Sequence, residues 1–181
     1  MKIGVIGTGY VGLVQGVIMA DFGSNVICMD INEDRIKKLQ VGESPIFEPG
    51  LKELLLKNIK EKRISFTTDI KKVVEESEVL FIAVGTPANE DGSADLHYIL
   101  EVAENIGTYI NGYKVIVDKS TVPVGTGKLV RETIEKKLNQ RKQKISFDIV
   151  SNPEFLREGK AITDCQRPDR VVIGYESEKA K

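Results

Sequence analysis

The sequence predicts an α/β fold in which a doubly wound parallel sheet lies between two layers of helices. Apolar runs of strand length alternate with amphipathic helical patterns along the chain, which favours parallel strands joined by right-handed crossovers. The run at 79–84 is apolar throughout, as expected for a central strand covered on both faces. Polar clusters follow several of these runs, at the strand ends where such sheets bind ligands.

The first thirty residues establish the order of the elements. An apolar run at 3–6 predicts a buried strand, and a helical pattern begins directly after the glycine-rich turn that follows it. A second strand is predicted at 25–29, and Asp30 comes next. The turn has the spacing Gly-x-Gly-x-x-Gly, formed by Gly7, Gly9 and Gly12. Strand, glycine turn, helix, strand and acid in this order form the fingerprint of Rossmann-like dinucleotide-binding folds.

Each glycine of the fingerprint has a mechanical reason. Gly7 permits the sharp turn out of the strand, and Gly9 leaves no side chain where a pyrophosphate would approach the backbone. Gly12 lets the helix press against the sheet, and the helix N-terminus offers free N–H groups to the phosphates. The pattern alone is also compatible with a purely structural turn, or with FAD or S-adenosylmethionine.

Asp30 indicates which dinucleotide would bind. It lies 18 residues after Gly12, at the tip of the second strand, where a carboxylate can bind both ribose hydroxyls. A 2′-phosphate at ~4 Å would be repelled by roughly 1 to 4 kcal/mol, a discrimination of about tenfold to several hundredfold. The prediction is NAD, not NADP. Arg35 is compatible with a place over the adenine or with a solvated helix position.

The remaining elements continue the alternation. Two helices are predicted from apolar faces, one carrying Leu51, Leu54, Leu55 and Ile59, the other carrying Val130, Ile134 and Leu138. The other predicted helices span about 32–41, with Asn32 as the N-cap, then 70–76 and 95–110. The later strands are predicted at 64–68, 79–84, 114–118, 147–150 and 170–175.

Composition limits the classes of function. The 181 residues suit one domain with its own core, and 41% hydrophobic and 29% charged residues are ordinary for a globular protein. A net charge of −1 predicts neither a nucleic-acid partner nor an anionic membrane. The apolar N-terminus lacks the features of a signal peptide, and no run is long enough to span a bilayer. Two cysteines form no disulfide framework, so we expect a cytoplasmic protein. We expect no metal site.

Two acids and a threonine stand out among the polar clusters at the predicted strand ends. Glu154 and Glu158 are four residues apart, so a helical turn would place both carboxylates on one face and push their pKa values apart, as acid–base catalysis requires. The spacing by itself favours the alternative of two solvated helix acids. Thr121 has the alternative of a helix cap. Arg157 is compatible with pairing to either acid or with facing solvent.

Five motifs and a C-terminal segment together resemble the UDP-glucose/GDP-mannose dehydrogenase family, its UDP-glucose branch more than its GDP-mannose branch. They span nearly the whole chain in order, and their combination is specific. These segments are Gly7-Thr-Gly-Tyr-Val-Gly12, Pro45-Ile-Phe-Glu-Pro-Gly-Leu51, Gly85-Thr-Pro87, Lys119-Ser-Thr-Val-Pro-Val-Gly-Thr126, Asn152-Pro-Glu-Phe-Leu-Arg-Glu-Gly159 and Pro168-Asp-Arg-Val-Val-Ile-Gly174.

The resemblance implies the NAD-dependent oxidation of UDP-glucose to UDP-glucuronate, a precursor for polysaccharide biosynthesis. Two NAD molecules in succession accept hydride, and a cysteine carries a thiohemiacetal and then a thioester that water hydrolyses. Glu154 resembles the carboxylate that activates this water, and Thr121 resembles a residue that positions water or substrate. The residues that resemble NAD contacts are Gly7, Gly9, Tyr10, Val11, Gly12, Asp30, Arg35, Thr86, Thr121 and Glu158. Those that resemble substrate contacts are Glu154, Phe155, Leu156, Arg157 and Glu158.

The cysteines depart from the family pattern. The family's nucleophile lies in a Gly-Cys-Leu-Pro setting in a second domain, and neither Cys28 nor Cys165 has that setting. Cys28 is predicted to be a core residue, Cys165 an incidental loop residue, and His97 a surface residue. Tyr10 and Phe155 are compatible with lining the site or with core packing.

We therefore expect residues 1–181 to be the NAD-binding domain, without the family's central dimerisation helix and C-terminal catalytic domain, and to be inactive alone. The complete enzyme is expected to be a homodimer. The alternatives are a stand-alone NAD-binding module, a dehydrogenase for another nucleotide sugar (GDP-mannose or a UDP-N-acetylhexosamine), and a hydroxyacid or 6-phosphogluconate-like dehydrogenase.

Overall fold

A computed structural model describes residues 1–181 and contains seven strands and seven helices. The strands are β1 (Lys2–Ile6), β2 (Asn25–Met29), β3 (Ile64–Thr67), β4 (Val79–Ile82), β5 (Lys114–Asp118), β6 (Phe147–Ser151) and β7 (Gly174–Tyr175). The helices are α1 (Tyr10–Asp21), α2 (Glu33–Gln40), α3 (Leu51–Lys60), α4 (Ile70–Glu76), α5 (His97–Tyr109), α6 (Thr126–Gln140) and α7 (Ala161–Gln166).

All seven strands form one sheet in the order β3-β2-β1-β4-β5-β6-β7. The first six strands are parallel, and the chain moves outward from β1 in one direction and from β4 in the other. This reversal opens a crevice between β1 and β4 at their carboxyl ends, which is where ligands bind in such sheets. The predicted doubly wound α/β fold is confirmed.

Helices cover both faces of the sheet, and each face has its own apolar core. Side chains of α1, α2, α3 and α7 pack against one face in a cluster of 21 buried residues. Those of α4, α5 and α6 pack against the other in a cluster of 17. The predicted stripe of α5 is buried throughout, from Ile99 to Ile106, and Ile110 just beyond the helix is buried as well. None of the helices combines the length and hydropathy that crossing a bilayer demands.

The last thirty residues differ from the sequence prediction. Of the strand predicted at 170–175, only Gly174 and Tyr175 pair, and they pair antiparallel to β6. The preceding apolar residues, Val171 to Ile173, are exposed. Since β6 ends at Ser151, it offers them no ladder to extend, and only the carbonyl of Val172 is bonded, by the Asn152 amide at 2.8 Å.

Helix α7 was not predicted, and it corrects the position of Cys165, which lies in this helix and not in a loop. Only Ala161 and Ile162 of its six residues are buried, so no helical period is visible in the sequence. Cys28 is fully buried in β2 and His97 is exposed at the start of α5, as predicted.

Candidate functional site

The glycine turn connects β1 to α1 at the crevice. Gly7 has a φ of +100°, and a Cβ there would lie 2.5 Å from the carbonyl oxygen of Ala83. A Cβ at Gly12 would lie 2.0 Å from the carbonyl oxygen of Gly7. Both positions therefore exclude any side chain. This agrees with the sharp turn inferred for Gly7, whereas Gly12 is required mainly by its close approach to the backbone of the turn itself. A Cβ at Gly9 would meet nothing within 4 Å, so the turn is open toward the crevice there.

The N-terminus of α1 faces the same opening. Its N-cap is Gly9, and no side chain caps the helix. The N–H groups of the first turn have no partner inside a helix, and they carry its partial positive charge. The first turn contains no acidic residue, so it is suited to an anionic group such as a pyrophosphate.

Asp30 follows β2 and is 8% exposed. Its Oδ2 accepts hydrogen bonds from the N–H and hydroxyl of Thr8, at 2.9 and 2.8 Å, and its Oδ1 accepts one from the Asn32 N–H at 3.0 Å. Burial raises the pKa of this carboxyl, but the bonds from Asn32, Thr8 and Arg35 outweigh burial and hold it below its usual value. Asp30 is therefore an anion held in a fixed position, and its Oδ1 accepts only one hydrogen bond.

Arg35 has a position that neither sequence alternative included. Its Nη1 donates to Asp30 Oδ2 at 2.9 Å, across the first turn of α2. The turn is held by Asn32, which accepts from the Arg35 N–H at 2.9 Å and is the N-cap that the sequence predicted. The guanidinium thus lies beside the carboxylate, at the edge of the crevice.

A cleft of about 270 Å³ continues the crevice on the side of β4 and β5. Five of the predicted site residues line this cleft: Tyr10, Val11, Thr86, Thr121 and Glu154. The Thr86 hydroxyl donates to the carbonyl of Thr121 at 2.8 Å, which joins the loops after β4 and β5. The structure therefore brings these five predicted residues together. Thr121 is not a helix cap, because α6 begins at Thr126 and its N-cap is Gly125.

The segment 152–158 is not helical, so the predicted helical turn carrying Glu154 and Glu158 is wrong. It is irregular as far as Arg157, and Pro153 disfavours helical backbone at the residue before it. The carboxylate of Glu154 accepts a hydrogen bond from the Leu156 N–H, two residues further along the chain, at 2.7 Å. Glu158 is exposed in the turn that follows the segment, near Tyr10.

The other predicted substrate contacts line a neighbouring groove. Phe155, Leu156 and Arg157 lie along a cavity of about 580 Å³ on the far side of the segment. Arg157 pairs with neither predicted acid, because its Nη2 binds Asp164 of α7 at 2.6 Å. Phe155 is 46% exposed beneath the guanidinium of Arg170, so it lines this groove and is not a core residue.

Lys119 connects the cleft and the groove, and the sequence assigned it no role. It is 8% exposed, and its Nζ donates to Asn152 Oδ1 at 3.0 Å. Burial lowers the pKa of this lysine, while Cys165 and Glu154 oppose the shift. Its neighbour Asp118, at the end of β5, has its pKa raised to about 6 by burial, which the Ser120 N–H partly offsets. The only sequence feature that could have indicated Lys119 and Asp118 was their place at the end of a predicted strand.

Thr8 and Glu48 were also missed. Thr8 is the unspecified residue between the first two glycines, and nothing in the fingerprint marks its hydroxyl as a partner of Asp30. Glu48 belongs to a motif that the sequence singled out, but without an assigned contact. Its carboxylate accepts from Tyr10, Gly159 and Ala161, which are between 38 and 113 residues away. Contacts at such separations leave no local pattern.

The chain is similar to proteins of known family along its whole length. Residues 1–181 match the family model for the NAD binding domain of the UDP-glucose/GDP-mannose dehydrogenase family. A UDP-glucose 6-dehydrogenase of Bacillus subtilis, TuaD, is 54% identical over 99% of this chain and 38% of its own length. A UDP-glucose 6-dehydrogenase of Rhizobium meliloti is 50% identical over 97% of this chain and 40% of its own.

Two solved structures have the same fold. The UDP-glucose dehydrogenase of Pyrobaculum islandicum superposes with a TM-score of 0.94 at 39% identity, over 99% of this chain and 41% of that one. The GDP-mannose dehydrogenase of Pseudomonas aeruginosa gives the same TM-score and identity, over 99% of this chain and 42% of that one. The chain thus spans about two fifths of the length of these relatives. It belongs to the UDP-glucose/GDP-mannose dehydrogenase family, whose NAD-binding domain it matches from residue 1 to residue 181.

Proposed function

We propose that residues 1–181 are the NAD-binding domain of an enzyme that oxidises UDP-glucose to UDP-glucuronate with two NAD. The observation that carries the proposal is the convergence at one sheet edge of an uncapped helix N-terminus, the fixed anion Asp30 and the cleft beside Glu154. The relatives named UDP-glucose 6-dehydrogenase, at half or more identical residues, support the choice of sugar.

The residues at this edge suit the adenosine half of NAD. Gly9 and the N–H groups of Tyr10 and Val11 would hold the pyrophosphate at the first turn of α1, and Gly7 and Gly12 keep that turn compact. Asp30 would hold the adenosine ribose, because its Oδ1 has a free lone pair for a hydroxyl. Arg35, which lies beside this carboxylate, would contact the adenine, and a 2′-phosphate would face the charge of Asp30.

Tyr10 and Thr121 would hold the nicotinamide end, because both line the cleft. When bound there, NAD would supply a hydride acceptor. Thr86 and Thr121 would position the ring and the reacting carbon, and Glu158 would contact the cofactor from the turn beside Tyr10. Glu154 accepts a proton from the water that hydrolyses the thioester, with Thr121 orienting that water. Phe155, Leu156 and Arg157 border the sugar nucleotide.

The nucleophilic thiol does not come from residues 1–181. Burial raises the pKa of the Cys28 thiol to about 12, and that of Cys165 to about 11. Both stay protonated at neutral pH, and the thiolate is the nucleophile in this chemistry. We propose that residues 1–181 alone bind NAD without completing the oxidation. Both cysteines are free thiols, which agrees with a location in a reducing compartment, the cytoplasm.

One observation keeps GDP-mannose as an alternative candidate substrate. The GDP-mannose dehydrogenase structure is as similar to this chain as the UDP-glucose dehydrogenase structure, at the same TM-score and identity. The fold of this domain therefore does not distinguish the two sugars. Ligand-observed NMR with UDP-glucose and with GDP-mannose, each in the presence of NAD, compares them directly. The expectation of a homodimeric complete enzyme stays a prediction.

Calorimetric titration of the chain with NAD and with NADP tests the cofactor proposal. We expect NAD to bind at least tenfold more tightly than NADP, and Asp30→Ala to abolish that preference because it removes the repelling charge. Asp34→Ala is the matched control, since Asp34 lies four residues further on with a 90% exposed side chain, and it should leave the preference unchanged. Equal affinity of the unmodified chain for both nucleotides contradicts the role of Asp30.

A further inference from the structure

A buried carboxylate ties together two distant parts of the candidate site. Glu48 lies in the loop before α3 and is 5% exposed. Its Oε2 accepts hydrogen bonds from the hydroxyl of Tyr10 and from the Gly159 N–H, the latter at 2.8 Å. Its Oε1 accepts one from the Ala161 N–H at 2.9 Å. One side chain therefore joins the first residue of α1 to the first residue of α7.

The two parts belong to different sides of the site. Tyr10 follows the glycine turn and, with Thr121 and Glu154, lines the cleft proposed to hold the nicotinamide. Gly159 and Ala161 end the segment that begins at Asn152 and carries Glu154. The Gly159 N–H also lies 3.3 Å from the Tyr10 hydroxyl, so the three groups meet at one point.

Glu48 depends on these donors for its stability. None of the ion pairs in the molecule includes it, so no lysine or arginine compensates its charge. A buried carboxylate that loses a hydrogen-bond donor has a large desolvation cost. The remaining donors then have to shift, because the anion still needs them. Displacement of Tyr10 would therefore shift Gly159 and Ala161, and displacement of these two residues would shift Tyr10.

Tyr10 remains a donor across the physiological pH range. Burial, and then the hydrogen bond to Glu48, raise the pKa of its hydroxyl to about 12. The hydrogen bond from Tyr10 to Glu48 therefore persists across the physiological pH range. It changes only when something displaces or restrains the tyrosine side chain.

We propose that Glu48 is a positioning residue that couples cofactor binding beside Tyr10 to the conformation of the segment 152–161. The coupling rests on the proposed function, because it needs NAD in the cleft that Tyr10 lines. A cofactor that restrains Tyr10 strengthens its bond to Glu48 and so restrains Gly159 and Ala161. By linkage, a substrate that orders the segment tightens NAD binding by the same factor.

Amide hydrogen exchange measured by NMR, with and without saturating NAD, tests the coupling. In the unmodified chain, NAD should slow exchange at Gly159 and Ala161 by about fivefold or more, the lower end of typical couplings between sites. In Glu48→Gln and in Tyr10→Phe this NAD-dependent slowing should disappear at NAD concentrations raised to saturation. A purely structural role would change the basal exchange in these variants but not the response to NAD.

Tyr113→Phe is the matched control. Tyr113 makes the same kind of bond, from its hydroxyl to Asp148 at 2.6 Å, and it lies just before β5, at the end of that strand away from the crevice. Removing that hydroxyl should leave the NAD response of Gly159 and Ala161 as it is in the unmodified chain. If Glu48→Gln does not fold, Tyr10→Phe gives the same comparison with the loss of a single hydroxyl.

The remaining outcomes separate the two proposals. NAD binding without any slowing at Gly159 and Ala161 overturns the coupling and leaves the proposed function standing. Slowing that persists in both variants also overturns it, because the route then bypasses the carboxylate. Absence of NAD binding in calorimetry overturns both.

Discussion

At the scale of single residues, the site depends on carboxylates whose surroundings differ. Asp30 is buried but receives four hydrogen bonds, so its pKa is held below the usual value. Asp118 is more buried, at 4% exposed against 8% for Asp30, and receives one hydrogen bond, and burial raises its pKa to about 6. The balance between burial and the number of donors therefore decides the sign of the pKa shift. The sequence shows neither quantity.

Asp118→Asn should stabilise the protein at pH 7.5. The folded pKa of Asp118 lies about two units above its unfolded value, so burying the charge costs up to about 3 kcal/mol at pH above 6. This cost disappears as the pH falls from 6 to 4, since the folded carboxyl becomes neutral there. The stabilisation should therefore shrink toward zero at pH 4, as measured by urea unfolding.

Asp148→Asn is the control for that measurement, because it should change the free energy of unfolding in the opposite direction. The Tyr113 hydroxyl lowers the pKa of Asp148, so this carboxylate stabilises the fold above its unfolded pKa and loses that effect as the pH falls through its folded pKa. The variant should be less stable at pH 7.5. An Asp118→Asn variant that is destabilised at all pH values would contradict the cost assigned to its buried charge.

At the scale of elements, the packing of α1 on β2 depends on a glycine outside the fingerprint. A Cβ at Gly16 would lie 2.5 Å from the Sγ of Cys28, in the middle of the larger apolar cluster. The sequence analysis assigned the close approach to Gly12, which actually meets the carbonyl of Gly7. The close packing of α1 on the sheet therefore requires two glycines, Gly12 beside the turn and Gly16 against β2.

Gly16→Ala should destabilise the protein by about 1 to 3 kcal/mol, the usual cost of overpacking a core. Cys28→Ala removes the atom in the way, so the double variant should recover most of the loss. The control is Gly127→Ala in α6, where the new Cβ would lie an ordinary 3.4 Å from Ile149 and the better helix propensity of alanine should be neutral or stabilising. Urea unfolding of the four variants checks this, and additive effects of Gly16→Ala and Cys28→Ala would contradict the contact.

At the scale of the whole molecule, the sheet order gathers distant residues at one edge. The strand order reverses between β1 and β4, so the loops that follow both strands meet there. Glu48 and Lys119 connect this edge to the segment after β6, through bonds to Gly159 and Asn152. The cofactor edge and the segment that carries Glu154 are therefore one connected unit.

NAD should stabilise the whole domain against heat. A ligand at 100 times its Kd stabilises the folded state by about 2.7 kcal/mol, which for a domain of this size raises Tm by about 5 to 11 °C. NADP at the same concentration should produce a smaller shift, because it binds more weakly beside Asp30. Differential scanning fluorimetry measures both, and equal shifts would argue against NAD selectivity.

The sequence alone was enough to predict the fold class, most element boundaries to within two residues, the glycine turn and the acid at the end of β2. These follow from local patterns, because the strand and helix periods and the glycine spacing are properties of neighbouring residues. What depends on contacts across the chain is seen only in the folded structure. It places Arg157 on Asp164, gives Asp30 its Thr8 donors, leaves Val171 to Ile173 exposed and buries Glu48 between α1 and α7. Such contacts join residues up to 113 positions apart, and no local pattern records which partner a side chain will meet.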